Sequence, residues 1–109
     1  MATSRDIVEP TREEVDQMSG PLLLEFGASW CPHCQDIQAS LATTLAQHPQ
    51  VRHLTIEDGK GKRLGRSFRV KLWPTLIFMR DGVVLHELVR PGSSAIEQGF
   101  KCFDSETTH

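Results

Sequence analysis

The amino-acid sequence predicts an α/β fold: a central mixed sheet of about five strands with helices on both faces. Three observations predict it. Short apolar runs alternate with segments of helical spacing, which calls for crossover connections and hence parallel strands. Glycine and proline punctuate the transitions between these runs. Finally, Asp81-Gly82 joins two strand-like runs as a two-residue hairpin, which adds antiparallel neighbours.

The elements follow in order. An extended piece from Asp6 to Glu9 stops at Pro10, and Thr11-Arg12-Glu13-Glu14 has the Thr-x-x-Glu form of a capping box that opens a helix to about Met18. Ser19-Gly20-Pro21 ends that helix. Leu22 to Phe26 is apolar throughout except at Glu25, and its length suits a central strand buried on both faces. Pro32 fits the first turn of a helix, and Ile37, Leu41, Thr44, Leu45 and His48 continue at helical spacing up to Pro49, so one long helix is predicted. A second strand covers 51–56 before the turn at Asp58-Gly59, and Leu64 and Phe68, four apart, predict a short amphipathic helix to about Arg69. Thr75 to Met79 and Val83 to Val89 form the hairpin strands. After Pro91-Gly92-Ser93, the residues Ile96, Gly99, Phe100 and Phe103 predict a terminal helix, although the interior glycine lowers its propensity. Residues 1–103 thus read as one domain and 104–109 as a solvated tail.

Length and composition agree with this. A chain of 109 residues is the size of one domain, and 39% hydrophobic with 24% charged residues excludes collagen-like, low-complexity and disordered classes. Twelve Lys and Arg against fourteen Asp and Glu leave a net charge of -2, so no overall basic field invites nucleic acid or an acidic membrane. No apolar run approaches the roughly 20 residues of a membrane span, and residues 1–10 lack the features of a signal peptide. A cytoplasmic, monomeric protein is therefore expected; a periplasmic form cut from a longer precursor would read the same. Lys60, Lys62, Arg63, Arg66, Arg69 and Lys71 form a local basic stretch without an acid. Its default reading is a solvated helix surface, and its functional reading is a patch for an acidic partner.

The chemistry is concentrated in Trp30-Cys31-Pro32-His33-Cys34, between a buried strand and a helix. The three-residue spacing puts both sulfurs on one face of the first turn, close enough for a redox-active Cys31–Cys34 disulfide. Cys31, at the helix start, is the nucleophile by position, because unpaired N–H groups there favour a thiolate. Cys34 is the resolving thiol, placed to attack a mixed disulfide on Cys31. Pro32 and His33 lie between the two, and an imidazole donor or charge from His33 would further stabilise the thiolate. Two other readings stay open on spacing alone: a zinc site, which lacks a second ligand pair at finger spacing, and a structural disulfide, whose short loop gains little from closure. Cys102, far off in the terminal helix, reads as a buried inert thiol.

At this point the sequence resembles the thioredoxin family. Leu22 to Cys34 is similar to that family's buried strand, acidic residue, Trp and active-site Cys-x-x-Cys, and Trp73-Pro74-Thr75 resembles its cis-proline loop. The similarity runs from roughly Ile7 to Phe103. It implies the thioredoxin fold, thiol–disulfide exchange without a cofactor or metal, protein disulfides as substrates, and an electron-donor reductase as partner. By the same resemblance Glu25 is the candidate general base for Cys34, with His53 where a Lys often pairs with the acid. Pro74 is expected in cis facing the disulfide, and Trp30 and Trp73 are expected to flank the substrate. Three departures bear on direction. Pro32-His33 is similar to the dipeptide of periplasmic disulfide-forming oxidases, yet nothing between His48 and Trp73 is long enough for the helical insertion those oxidases carry. Gln35 stands where a Lys is common, and Asp36 adds a negative charge. The expected net task in a reducing cytosol is reduction of protein disulfides; a binding or chaperone module that docks one partner with little turnover is the rival.

Overall fold

The computed structural model describes residues 9–105, with side chains to Asp104. It contains α1 (Arg12–Asp16), β1 (Pro21–Gly27), α2 (Pro32–Asp36), α3 (Gln38–Ala46), β2 (Arg52–Glu57), α4 (Arg63–Ser67), β3 (Thr75–Arg80), β4 (Val83–Val89) and α5 (Ser93–Ser105). Among the described residues four strands form one mixed sheet in the order β2-β1-β3-β4, so β1 is central. It runs parallel to β2, with Leu23 opposite His53, and antiparallel to β3, with Leu23 opposite Phe78. The extended piece expected at 6–9 lies outside the described residues except for Glu9, which is not in a strand.

Alternation along β1 and β3 sorts the core into two layers. Leu23, Leu76 and Phe78 point to one face, where they pack with Ile37 and Leu41 of the α2–α3 segment and with Ile96, Phe100 and Phe103 of α5. Leu22, Leu24, Phe26, Ile77 and Met79 point to the other, against Val15 of α1 and Leu64 of α4. Each fully buried Leu or Phe contributes roughly 1.5–3 kcal/mol by leaving water. The same phase places Glu25 beside Leu23, under the α2–α3 segment.

Several local predictions correspond to specific geometry. Both halves of the capping box are present: the Glu14 N–H donates to Thr11 Oγ1 at 3.0 Å, and the Thr11 N–H donates to Glu14 Oε1 at 2.9 Å. Asp81 and Gly82 carry φ of 52° and 83°, as a type I′ hairpin turn requires. In contrast, the single helix expected from Pro32 to His48 is interrupted at Ile37. The cause is Gln38, whose side-chain amide donates to the Cys34 carbonyl at 2.8 Å and so inserts itself into the helical hydrogen-bond ladder.

The helix expected to reach Arg69 stops at Ser67. Arg69 adopts φ 61°, its N–H donates to Arg66 O at 3.0 Å, and the Val70 N–H donates to Gly65 O at 2.9 Å. This is a Schellman ending with arginine in the left-handed position, so Arg69 lies beyond the helix rather than in its last turn. Gly99 has a packing role: a Cβ there would lie 2.9 Å from Phe78 Cζ and 3.0 Å from Leu88 Cδ1, so α5 sits closer to β3 and β4 than another residue would allow. Helix α5 continues past Phe103 to Ser105, and 106–109 lie outside the described residues. No helix among the described residues is long and apolar enough to cross a membrane.

Candidate active site

The site assembles where β1 ends, α2 begins and the loop before β3 returns. Cys31 is the N-cap of α2, in extended conformation with Pro32 next to it, and the Cys34 N–H donates to Cys31 Sγ at 3.3 Å. The two cysteines are not joined by a disulfide in this structure, and both are buried. Across the cleft the Trp73–Pro74 peptide is cis, and the Trp73 carbonyl oxygen lies 4.0 Å from Cys31 Sγ. Trp73 packs against Ala28, Cys31 and Cys34. Trp30 stands edge-on to it at 5.4 Å between ring centroids and is 68% exposed.

The two thiols meet different electrostatics. Burial pushes Cys31 up, but hydrogen bonds from the Cys34 thiol and from the backbone N–H groups of Cys34 and His33, together with the charge of Arg90, outweigh it and hold Cys31 below the usual thiol value. Cys34 is pushed up to about 11, first by burial, then by its hydrogen bond to Cys31 and the negative charges of Cys31 and Glu25. The His33 ring is exposed, and what this residue lends Cys31 is its backbone N–H. The cationic side chain acting on Cys31 belongs to Arg90, which sequence reasoning missed. Its place follows from β-pairing: Val89 opposes Thr75, so the next residue reaches Pro74 and Trp73.

Glu25 is 4% exposed and fully engaged. Its Oε1 lies 2.7 Å from His53 Nε2 and accepts from Thr55 Oγ1 at 3.5 Å, while its Oε2 accepts from Gln38 Nε2 at 2.7 Å. Burial raises the Glu25 carboxyl, but these hydrogen bonds and the His53 charge more than compensate and hold it below its usual value. Because Gln38 Nε2 also donates to the Cys34 carbonyl, one amide ties the acid to the cysteine's backbone. An open cleft lined by Glu25, Gly27, Cys34, Gln38 and Thr55 gives solvent a route to the pair. Gly27 makes this arrangement possible, since a Cβ there would lie 2.7 Å from Cys34 Sγ. Gln38 was the second residue missed; a glutamine four positions after Cys34 is the only signal it leaves in the sequence.

Trp73 is anchored from below. Its indole N–H donates to Asp58 Oδ2 at 2.8 Å, and Asp58 lies over Gly65 of α4, where an added Cβ would fall on the carboxylate. Cys102 is half-buried against the α5 side of the core, away from this cluster. The exposed basic residues from Lys60 to Lys71 surround α4 and lead into Leu72 and Trp73. Among the described residues no three His, Cys, Asp or Glu side chains form a group that could hold a metal ion.

Comparison with known proteins gives a consistent result. A family model described as Thioredoxin matches residues 7–101. The chain is 25% identical over 80 residues to the mitochondrial thioredoxin-3 of Saccharomyces cerevisiae, covering 73% of this chain and 63% of that protein. It is 27% identical over 79 residues to the H-type thioredoxin of Ricinus communis, covering 72% and 67% of the two chains. The solved structure of reduced thioredoxin 2 from Pseudomonas aeruginosa is 50% identical, with a TM-score of 0.78 over 90% of this chain and 92% of that one. With the fold, a nearby cysteine pair and a family match over most of its length, the chain belongs to the thioredoxin family.

Proposed function

We propose that this protein reduces disulfides of protein substrates in the cytoplasm, acting as a monomer, with Cys31 as attacking and Cys34 as resolving thiol. The observation that carries the reading is the inequality of the two cysteines. Cys31 is held below the usual thiol value at the end facing Trp73 and Trp30, while Cys34 is pushed up to about 11 behind it, next to the Glu25 cleft.

The Cys31 thiolate attacks a substrate sulfur; a Cys31–substrate bond forms, the substrate S–S bond breaks, and the other substrate sulfur leaves as a thiolate. Cys34 remains a thiol until its proton is removed. Glu25 accepts that proton through water in the cleft, its carboxylate held in place by His53 and Gln38. The Cys34 thiolate then attacks Cys31 Sγ, the substrate departs as a dithiol, and the protein holds a Cys31–Cys34 disulfide. An electron-donor reductase returns it to the dithiol with two electrons and two protons. Trp30, Trp73 and Pro74 form the surface along which an extended substrate segment lies.

Insulin reduction driven by a dithiol reductant tests this. Turnover is expected in the wild type and is abolished in Cys31→Ser. A wild type that binds unfolded or disulfide-bearing partners without turnover would establish the docking module instead, a role the exposed Trp30 and half-buried Trp73 would also suit.

A further inference from the structure

Arg90 occupies a backbone position that an arginine adopts only under constraint. Its φ is 48°, in the left-handed region that favours glycine, one residue beyond the end of β4. Two hydrogen bonds fix it there: its backbone N–H donates to the Pro74 carbonyl at 2.8 Å, and its Nε donates to the Trp73 carbonyl at 2.8 Å. The side chain is thus locked beside the Trp73 carbonyl, which lies 4.0 Å from Cys31 Sγ. A guanidinium has five N–H donors, and only Nε is used here; no carboxylate among the described residues forms an ion pair with Arg90. Asp58, the carboxylate that touches the Trp73 side chain, is engaged by the indole N–H.

An extended segment lying along Trp73-Pro74 therefore meets a fork of unused N–H donors beside the Trp73 carbonyl. That fork matches a carboxylate in shape and charge. The exposed Arg69 and Lys71, just before Leu72 and Trp73 in the same loop, add positive charge to the approach, and the exposed Leu72 and Val89 supply apolar surface around it. We propose that Arg90 is a specificity-determining residue that favours protein disulfides in which an Asp or Glu flanks the attacked cysteine. The partner is an acidic extended segment, and the preference deepens the reductase reading, because it rests on Cys31 attacking protein disulfides.

The test isolates that first attack. Full-length protein carrying Cys34→Ser is mixed with short peptides whose single cysteine is disulfide-bonded to an aryl thiol, the flanking residue being Asp, Ser or Lys. The Cys31 thiolate forms a bond to the peptide sulfur, the peptide–aryl S–S bond breaks, and the coloured aryl thiolate leaves with the electron pair, which gives the rate. The ratio of the Asp to the Ser peptide cancels the state of Cys31, since both meet the same thiolate. A ratio of about ten is expected for one charge-assisted contact, decreasing with added salt. In Arg90→Gln and in Arg90→Gly, which suits the left-handed backbone, the ratio should fall to about one. Equal rates for all three peptides, or a ratio that survives both substitutions, overturns the proposal. Insulin turnover is scored separately: a wild type that discriminates among peptides yet fails to turn over insulin keeps the specificity and loses the reductase reading. Failure to react with every peptide overturns both.

Discussion

The two faces of β1 differ in kind although they alternate along one seven-residue strand. Toward α1 and α4 the strand presents Leu22, Leu24 and Phe26 to an all-apolar layer. Toward α2 and α3 it presents Leu23 and then Glu25, whose carboxylate is satisfied by His53, Gln38 and Thr55. The first face holds the fold by removing hydrocarbon from water. The second spends part of a core position on a charge that must be fully hydrogen-bonded to be tolerated, and it gains a proton acceptor behind Cys34. Stability and chemistry are thus separable by residue parity on a single strand.

The sharpest way to break this contrast is Leu24→Ala, expected to cost about 2–5 kcal/mol from lost burial and a residual cavity. Urea denaturation measures it, and the fraction that remains folded should keep its activity. A variant that folds normally but loses activity would show that the apolar face is not merely structural. On the other face, Glu25→Leu leaves no void but strips His53 and Gln38 of their acceptor, so stability should fall by only about 1–2 kcal/mol, since His53 is half-buried and can be hydrated. Release of substrate from the mixed disulfide, followed in single turnover, should nevertheless slow by about a hundredfold. Loss of several kcal/mol, with release unchanged, would reverse the assignment.

A smaller effect sharpens the link between Glu25 and Cys34. Alkylation by iodoacetamide should be biphasic with pH, Cys31 reacting with a midpoint below the free-thiol value of about 8.5 and Cys34 near 11. In Glu25→Leu the Cys34 midpoint should decrease but stay above that of a free thiol, since burial is the larger cause. The smallest effect concerns acid stability. Glu25 is held below its usual value of 4.5, so its contribution is present above that pH and lost as pH falls through the lower folded-state value. The difference in urea midpoint between the wild type and Glu25→Gln should therefore narrow between about pH 5 and pH 3. A gap that stays constant would mean the acid gains nothing from His53 and Gln38.

Much of this was legible in the sequence wherever a local rule governs. The capping box at Thr11, the hairpin at Asp81-Gly82 and the cap at Cys31-Pro32 each depend on neighbours within a few residues, and the apolar run from Leu22 to Phe26 marks the central strand. What remained hidden depends on register between distant segments. Arg90 reaches Trp73 only through the β3–β4 pairing, which includes a register shift between Phe78 and Met79. Gln38 interrupts a helix that periodicity alone would continue, because its side chain competes for the Cys34 carbonyl. Gly99 looked unfavourable in a helix when judged by propensity, and only the proximity of Phe78 and Leu88 explains it. The pairing of Glu25 with His53 was suggested by resemblance, and its 2.7 Å contact depends on the parallel β1–β2 register.

Gly65 carries a consequence for how such a protein changes over generations. It touches neither cysteine, yet the carboxylate that grips the Trp73 indole rests on its bare backbone. Any larger residue there displaces Asp58 and frees an aromatic ring at the edge of the site. Heritable variation in which partners are accepted can therefore arise within α4, with the reactive pair and its chemistry left intact.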